Sequence, residues 1–406
     1  MLEREKVMAV TADMVERPGG KARHISHTLP AWTYNNAEFF DLEREHIFMR
    51  TWQLVCHVSE VAEPGDYATL DLSGERVFVI RGQDGRLRAF FNVCRHRAHA
   101  VVKEQSGHCK NLIRCPYHGW TYDLAGNLKA VPHEKDFPSL DKAQYGLRPL
   151  DIEVFLGFVF TRLGGSGPRV AELMAPYRDE LELYRIDEVQ PIGKNWHEET
   201  GVDWKNVMDN FLEGYHIPTG HPGLYRLFGN HYEVETREGG VARAYSWMRD
   251  KPSTNWSERH YQKLLPPVEH LPEERRRAWV YYSMFPNLAF DLYPDLISYF
   301  QVLPTGPGQS VLRARAYGHP DKRREMRAAR YLNMRINKQV YREDVRLTRS
   351  VQGGLASRSY SAGVLCAREA CVKQFHDGIR AVLPVAGCIE PPEPGSMAGL
   401  DSPRAM

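Results

Sequence analysis

The sequence predicts an α+β chain in two parts: a small all-β domain, then a larger domain in which helices flank an antiparallel sheet. Three observations lead there. Short alternating apolar runs bounded by turn residues crowd the first part, as in "DYATLDL", "RVFVIRG" and "LRAFFNV". Longer segments rich in aromatic and β-branched residues, "RAWVYYSMFPNLAFDLY", "LISYFQVLP" and "SVLRARAYG", fill the second. Helical apolar spacing recurs before the first set and around the second.

Residues 1–35 read as an N-terminal arm ending in the turn-prone "HTLPAWTYNN". A helix follows through "AEFFDLEREHIFMRTW", where Phe39, Phe40, Ile47, Phe48 and Trp52 form an apolar stripe and Asn36 offers an N-cap. Asp84-Gly85 marks a hairpin between "RVFVIRG" and "LRAFFNV". "TYDLAGNLKAV" gives a second hairpin, and "VFLGFVFTRL" reads as a closing strand. Gly164, Gly165, Gly167 and Pro168 then mark a linker. The predicted boundaries are therefore 36–165 for the β domain with its helix, 166–390 for the second domain, and 391–406 for a loose tail.

Composition narrows the function classes. The chain has 406 residues, enough for two or three domains, and a net charge of +2, which argues against a nucleic-acid binder. Its longest apolar run, Val154 to Phe160, is far too short to cross a bilayer. The scattered charges of "MLEREKVMAVTADMVERPGG" leave no apolar signal core, which predicts a cytoplasmic location. Cys56, Cys109, Cys366, Cys371 and Cys388 show no disulfide spacing and are predicted to be free thiols.

The chemistry concentrates in "NVCRHRAH" and "RCPYHGW". Each segment pairs one thiolate with one imidazole: Cys94 with His96, and Cys115 with His118. Two sulfide-bridged irons, one taking both cysteines and the other both histidines, would be held by this set, and that is Rieske [2Fe–2S] ligation. A structural zinc site also accepts two Cys and two His, but its usual spacings group Cys with Cys and His with His. Cys109 and His99 lie in the same stretch without belonging to a pair, and read as supporting residues. Arg95, Arg97, Lys103, Lys110 and Arg114 make the segment basic, either as a solvated surface or as a dock for an acidic electron donor.

A second site lies in "VDWKNVMDNFLEGYHIPTGH". Trp204, Met208, Phe211 and Tyr215 stand at helical spacing, and Asp209, Glu213 and His216 form a polar stripe beside them. On a continuous helix His216 and His221 would point roughly 140° apart. Pro218 and Gly220 interrupt the helix, so His221 is expected on a loop that turns back. Two histidines and one carboxylate make the facial triad of a non-haem Fe(II) oxygenase. Asp344 is the best third member, because it shares a helical face with Ile336, Val340, Leu347 and Val351, where an unpaired carboxylate is costly. A buried salt bridge to an arginine is the competing explanation. Its neighbour Glu343 shares a face with Gln339, Arg346 and Ser350 and reads as solvated.

Together "CRH…CPYHGW" and "NFLEGYHIPTGH" resemble the oxygenase component of the Rieske non-haem iron oxygenases, over about residues 36–385. The family includes aromatic-ring-hydroxylating dioxygenases and quaternary-ammonium demethylases. The resemblance implies a Rieske domain followed by a helix-grip catalytic domain. It implies that Cys94, His96, Cys115 and His118 hold the cluster, and that His216, His221 and Asp344 hold the catalytic iron. Glu213 falls on the acid that links a cluster histidine of one subunit to an iron histidine of the next, which implies a homotrimer. Asn210, one turn earlier, is expected to line the iron pocket or the helix surface. Ala98 departs from the glycine that the family commonly has. Dioxygen is the implied co-substrate. Because the chain lacks a dinucleotide fingerprint and a ferredoxin run of cysteines, NADH or NADPH is expected to act through a separate flavin/iron–sulfur reductase.

For the small-molecule substrate, Glu at position 213 resembles the choline, carnitine and betaine oxygenases, where ring dioxygenases commonly carry Asp. This favours hydroxylation of an N-methyl group of a quaternary ammonium compound, with release of formaldehyde. Tyr245, Trp247, Tyr281, Tyr282, Phe285, Phe290 and Tyr293 offer faces for a cation, or are simply core. The alternatives are ring dihydroxylation of an aromatic acid, and a non-enzymatic electron carrier or zinc-stabilised protein. The last leaves His216, His221 and Asp344 unexplained.

Overall fold

The computed structural model describes residues 26–237 and 239–397, so most of the predicted arm and the end of the predicted tail lie outside the described residues. Backbone contacts divide the described chain into two units, 48–191 and a second in which the segment up to residue 47 joins the chain from residue 192 onward. The predicted boundaries differ at both ends. The Ala37–Glu43 helix, capped by Asn36 as expected, belongs with the second unit. Its Glu43 is buried and meets Lys205 Nζ at 2.6 Å, while Trp204 Nε1 donates to Glu43 Oε2 at 3.1 Å. At the other end, residues 166–191 stay with the β unit. Trp52 Nε1 donates to the Pro168 carbonyl, and the buried Glu153 carboxylate accepts from the Val170 and Ala171 amides.

The first unit is built on a seven-stranded sheet in the spatial order Gln53–His57, Phe158–Arg162, Pro149–Phe155, Leu87–Phe91, Glu75–Arg81, Asp66–Leu72 and Ser106–His108. A second sheet of three strands, Leu112–Arg114, Thr121–Asp123 and Leu128–Ala130, carries one of the two ligand segments. The Asp84-Gly85 turn is present, with Gly85 at φ +75°. The segment "VFLGFVFTRL" is not one closing strand but the heart of a hairpin, Pro149–Phe155 against Phe158–Arg162. Leu156 and Gly157 both take positive φ, +45° and +81°, as a tight two-residue hairpin turn requires. Leucine at the first turn position conceals that turn in the sequence. Glycine is needed at the second, where a Cβ would lie 2.3 Å from His57 Nε2.

The second unit is a seven-stranded sheet in the order Gln190–Glu199, Gln309–Gly318, Ile297–Gly306, Leu288–Leu292, Ala278–Met284, Val241–Trp247 and Tyr232–Arg237. The five strands from 241 to 318 and the Tyr232–Arg237 edge pair antiparallel with their sequence neighbours as a meander. Register fixes which residues share a face: Tyr281, Asp291, Ser298 and Ala316 stand opposite one another in a row across four strands. Tyr282, Phe290 and Tyr299 occupy the adjacent row and point to the other side. The Arg324–Leu355 helix is 32 residues long and buries Ala329, Leu332 and Ile336 in one cluster with Leu224, Tyr261 and Trp279. Its predicted apolar stripe is only half buried, since Leu347 and Val351 are 37% and 51% exposed. No helix among the described residues is long and apolar enough to cross a membrane.

Candidate active site

In the first unit the two ligand segments fold into matching loops. The Cys94 amide donates to the His99 carbonyl at 2.8 Å, and the Cys115 amide donates to the Trp120 carbonyl at 2.8 Å. Within each loop the residue four further on, Ala98 or Gly119, donates back to the cysteine carbonyl at 3.0 Å. Both of those residues have positive φ, +56° and +73°. The chain thus presents each Cys-x-His or Cys-x-x-His pair on the same tight frame. Cys94 and Cys115 are buried, and the rings of His96 and His118 lie 4.5 Å apart between centroids. Trp120 stacks on His96 at 5.0 Å with planes 6° apart, and the Tyr122 hydroxyl sits 3.4 Å from Cys94 Sγ.

This donor set fits an iron–sulfur cluster. His96 Nδ1 is buried with no hydrogen-bond partner, an arrangement that costs free energy unless the nitrogen binds something. Burial first, and then His118 and Arg97, hold the His96 pKa below its ordinary value, favouring the neutral imidazole that a metal ligand must be. Cys109 instead packs at the edge of the apolar cluster beneath the loops, and His99 Nδ1 lies 2.7 Å from the Ala100 carbonyl.

In the second unit the Trp204–Phe211 helix starts at Asp203, whose side chain accepts from the Lys205 amide. It ends at Phe211, earlier than the apolar spacing predicts, and Tyr215 is 60% exposed. Beyond the end, Gly214 packs against Tyr232, where a Cβ would lie 2.3 Å from the ring. His216 then caps a single helical turn, Ile217–Gly220, and His221 leads directly into the Pro222–Phe228 helix. Pro218 therefore opens a helical turn, where its missing N–H is harmless, and His221 sits at a junction between helices instead of on a loop. The change of direction brings the two imidazoles to a centroid separation of 4.8 Å.

The long helix brings Asp344 to both. Its Oδ1 lies 2.8 Å from His221 Nε2 and 3.7 Å from His216 Nε2, and one ligand atom from each of the three residues falls within 4.8 Å of the others. No arginine among the described residues pairs with Asp344. Oδ1 is buried and makes no hydrogen bond of acceptable geometry. Two imidazoles and a carboxylate converging on one point, with an orphaned oxygen aimed there, fit a divalent iron with open positions.

Glu213 Oε1 contacts His216 Nδ1 at 2.5 Å, and Oε2 accepts from the His216 amide at 3.1 Å. Asp209, which the sequence places on the same stripe, serves a different network: it accepts from Tyr34 Oη at 2.6 Å and contacts His376 Nε2 at 2.7 Å. Glu343 is a correction, since its Oε2 lies 2.9 Å from His221 Nδ1, so it is not a solvated surface residue. Helical spacing shows only which residues share a side, and the sequence does not reveal that His221 wedges between two successive sides of the long helix.

A cavity of about 510 Å³ opens beside these residues. It is lined by Asn210, Phe211, Tyr281, Tyr293 and Phe300 as well as Glu213 and the His216, His221 and Asp344 set. Of the seven aromatic residues proposed to face a cation, only Tyr281 and Tyr293 reach it. Tyr245 and Trp247 line a separate depression with Arg275 and Glu274. Tyr282 and Phe290 are buried on the opposite face of the sheet, and Phe285 packs on Phe375.

Comparison with known proteins agrees with this two-site architecture. Residues 51–142 match the Rieske [2Fe-2S] domain, and residues 190–384 match the ring hydroxylating alpha subunit (catalytic domain). The carnitine monooxygenase oxygenase subunit of Acinetobacter pittii is 31% identical over 83% of this chain and 87% of its own length. The glycine betaine monooxygenase oxygenase subunit of Chromohalobacter salexigens is 27% identical over 87% of this chain and 86% of its own. The quaternary ammonium Rieske monooxygenase CntA in complex with substrate L-carnitine superposes with a TM-score of 0.74 at 26% identity, covering 88% of this chain and 96% of that one. The chain belongs to the Rieske non-haem iron oxygenases, as an oxygenase component. Its cofactors are a Rieske [2Fe–2S] cluster and a mononuclear non-haem iron, with electrons drawn from a separate reductase and a small molecule as substrate.

Proposed function

We propose that this chain hydroxylates an N-methyl group of a quaternary ammonium or betaine substrate. One dioxygen, two electrons and two protons convert N–CH3 to N–CH2OH and water, and the carbinolamine then collapses to formaldehyde and the demethylated amine. The observation that carries this reading is the likeness, along nearly the whole chain, to oxygenase subunits named for carnitine and glycine betaine.

In this reading Cys94 and Cys115 would ligate one iron of the cluster and His96 and His118 the other, while His216, His221 and Asp344 would hold the mononuclear iron. The cluster would supply single electrons and the mononuclear iron open positions for dioxygen. Glu343 and Glu213 fix the two iron-site imidazoles through their Nδ1 atoms, which sets their orientation and raises their basicity. Phe211, Tyr281, Tyr293 and Phe300 surround the substrate and exclude water, and Asn210 closes the cavity beside them. Glu213 also carries coupling to the neighbouring subunit of a homotrimer. The exposed apolar side chains of Tyr215, Leu347 and Val351 support a covered surface in the assembly. The free cysteines suit a cytoplasmic site of action, and NADH or NADPH is the ultimate electron source.

The aromatic lining would also receive a planar ring, and dihydroxylation of an aromatic acid is the second reading. Calorimetric titration of the iron-loaded protein, under nitrogen, separates them. Glycine betaine, proline betaine or carnitine should bind at least about tenfold more tightly than benzoate, whereas preference for benzoate would favour the ring-hydroxylating reading. Replacing Asp344 with Ala should remove the mononuclear iron, one of three irons per chain, and leave the cluster absorption intact. Retention of that iron together with turnover would show that another group is the third ligand.

A further inference from the structure

Asp291 is a carboxylate of the cavity wall that neither iron site uses. It lies in the middle of the sheet face that forms the cavity wall, directly across from Tyr281 on one side and Ser298 on the other. Its Oδ2 accepts from Ser298 Oγ at 2.9 Å. Its Oδ1 is sealed from solvent and has no hydrogen-bond partner. No lysine, arginine or histidine stands among the groups that shift its pKa, in contrast to Glu43, Glu153, Asp209, Glu258 and Asp344, each of which meets a cationic or imidazole side chain.

A carboxylate in such a place is expensive to ionise, because desolvation is not offset by a paired charge. Burial pushes its pKa up to about 7, with the nearby hydroxyl groups of Ser298 and Tyr293 working in the other direction. A sheet that needed only an apolar wall at this point would be more stable with an apolar residue. Aromatic rings line the same cavity: Tyr281 and Tyr293 meet edge to face at 6.1 Å, Phe211 meets Tyr281 at 6.2 Å and Phe300 at 4.7 Å. A quaternary ammonium has no N–H to donate, so it is recognised only by charge and by ring faces. One unpaired carboxylate inside a ring of aromatics provides both.

We propose that Asp291 is the counter-charge for the substrate's quaternary nitrogen and the residue that sets the preference for a trimethylammonium group over a neutral group of the same shape. This rests on the quaternary-ammonium reading above and adds a named specificity residue to it. Asp291 is a binding residue in this account and takes no part in holding the iron.

The test uses the holoenzyme with its reductase, glycine betaine and carnitine as substrates, and 3,3-dimethylbutanoate, which keeps the carboxylate of glycine betaine but replaces its trimethylammonium with a neutral tert-butyl group, as a competing isostere. In the unaltered enzyme the betaine should bind about thirtyfold more tightly than the isostere, and in Asp291→Asn that preference should fall to about threefold. KM for the betaine should rise by a similar factor while kcat falls much less. Equal binding of betaine and isostere by the unaltered enzyme would overturn the proposal without any variant. An unchanged KM in folded Asp291→Asn, judged by cluster absorption and thermal unfolding, would overturn it while formaldehyde release left the quaternary-ammonium reading standing. Absence of formaldehyde from every quaternary ammonium would overturn both.

Discussion

At the scale of single residues, two neighbouring carboxylates on one helix address the same imidazole from opposite edges. Asp344 reaches His221 Nε2 and Glu343 reaches His221 Nδ1, at 2.8 and 2.9 Å. Asp344 was legible because an acid on an apolar stripe demands an explanation. Glu343 was not, because its stripe is polar and only the placement of another segment gives it a partner. Replacing Glu343 with Gln should weaken mononuclear iron binding by about tenfold to a hundredfold, read by iron titration, with the cluster spectrum unchanged; unaltered affinity would reduce Glu343 to a surface residue. Asp291 gives a pH signature. Its folded pKa is raised, so between the ordinary carboxylate value and about 7 the folded chain holds a proton that the unfolded chain has released. Stability from this group is therefore present at low pH and is lost as pH rises through that window. Asp291→Asn should be no more stable than the parent near pH 4 and more stable by up to about 2 kcal/mol at pH 8, allowing for water in the cavity. Parallel unfolding curves across that range would show that Asp291 is ionised without strain.

The element scale is where the two cluster loops show their common construction. The spacing of Cys94, His96, Cys115 and His118 was readable from the sequence, but the matched hydrogen bonds that hold both loops were not. They explain the left-handed residue at the fourth position after each cysteine. Gly119 takes that conformation without a steric penalty, while Ala98 at φ +56° does not. Ala98→Gly should therefore stabilise the first unit by about 1 kcal/mol, read as a higher urea midpoint with intact cluster absorption; a lower midpoint would mean that the Ala98 methyl group packs well enough to outweigh its backbone. Two other elements were misplaced. The Leu156-Gly157 turn split a predicted strand into a hairpin, and the helix that apolar spacing alone would have carried to Tyr215 ended at Phe211. Periodicity reports a face and does not report where an element stops.

For the whole molecule, the order of the two parts and the chemistry of each were legible because metal ligands are spaced by short-range geometry. The boundary was harder to see: Glu43 joins its helix to Lys205, more than 160 positions away, and no local signal marks such a pair. The cavity was equally hidden, since strand alternation assigns Tyr281 to one face and Tyr282 to the other only once register is known. Electron delivery to the iron site is argued to pass Glu213. Glu213→Gln should leave both metal centres bound and slow reoxidation of the reduced cluster by about a hundredfold or more in stopped-flow mixing with oxygen and substrate. Unchanged kinetics would take Glu213 off the route.

The account as a whole is tested most directly by a single turnover of the dithionite-reduced, iron-loaded protein mixed with oxygen in the presence of glycine betaine, proline betaine, carnitine or benzoate. Formaldehyde formed together with one demethylated betaine, and no hydroxylated benzoate, is the predicted result. A cis-diol from benzoate without formaldehyde from any betaine would contradict it.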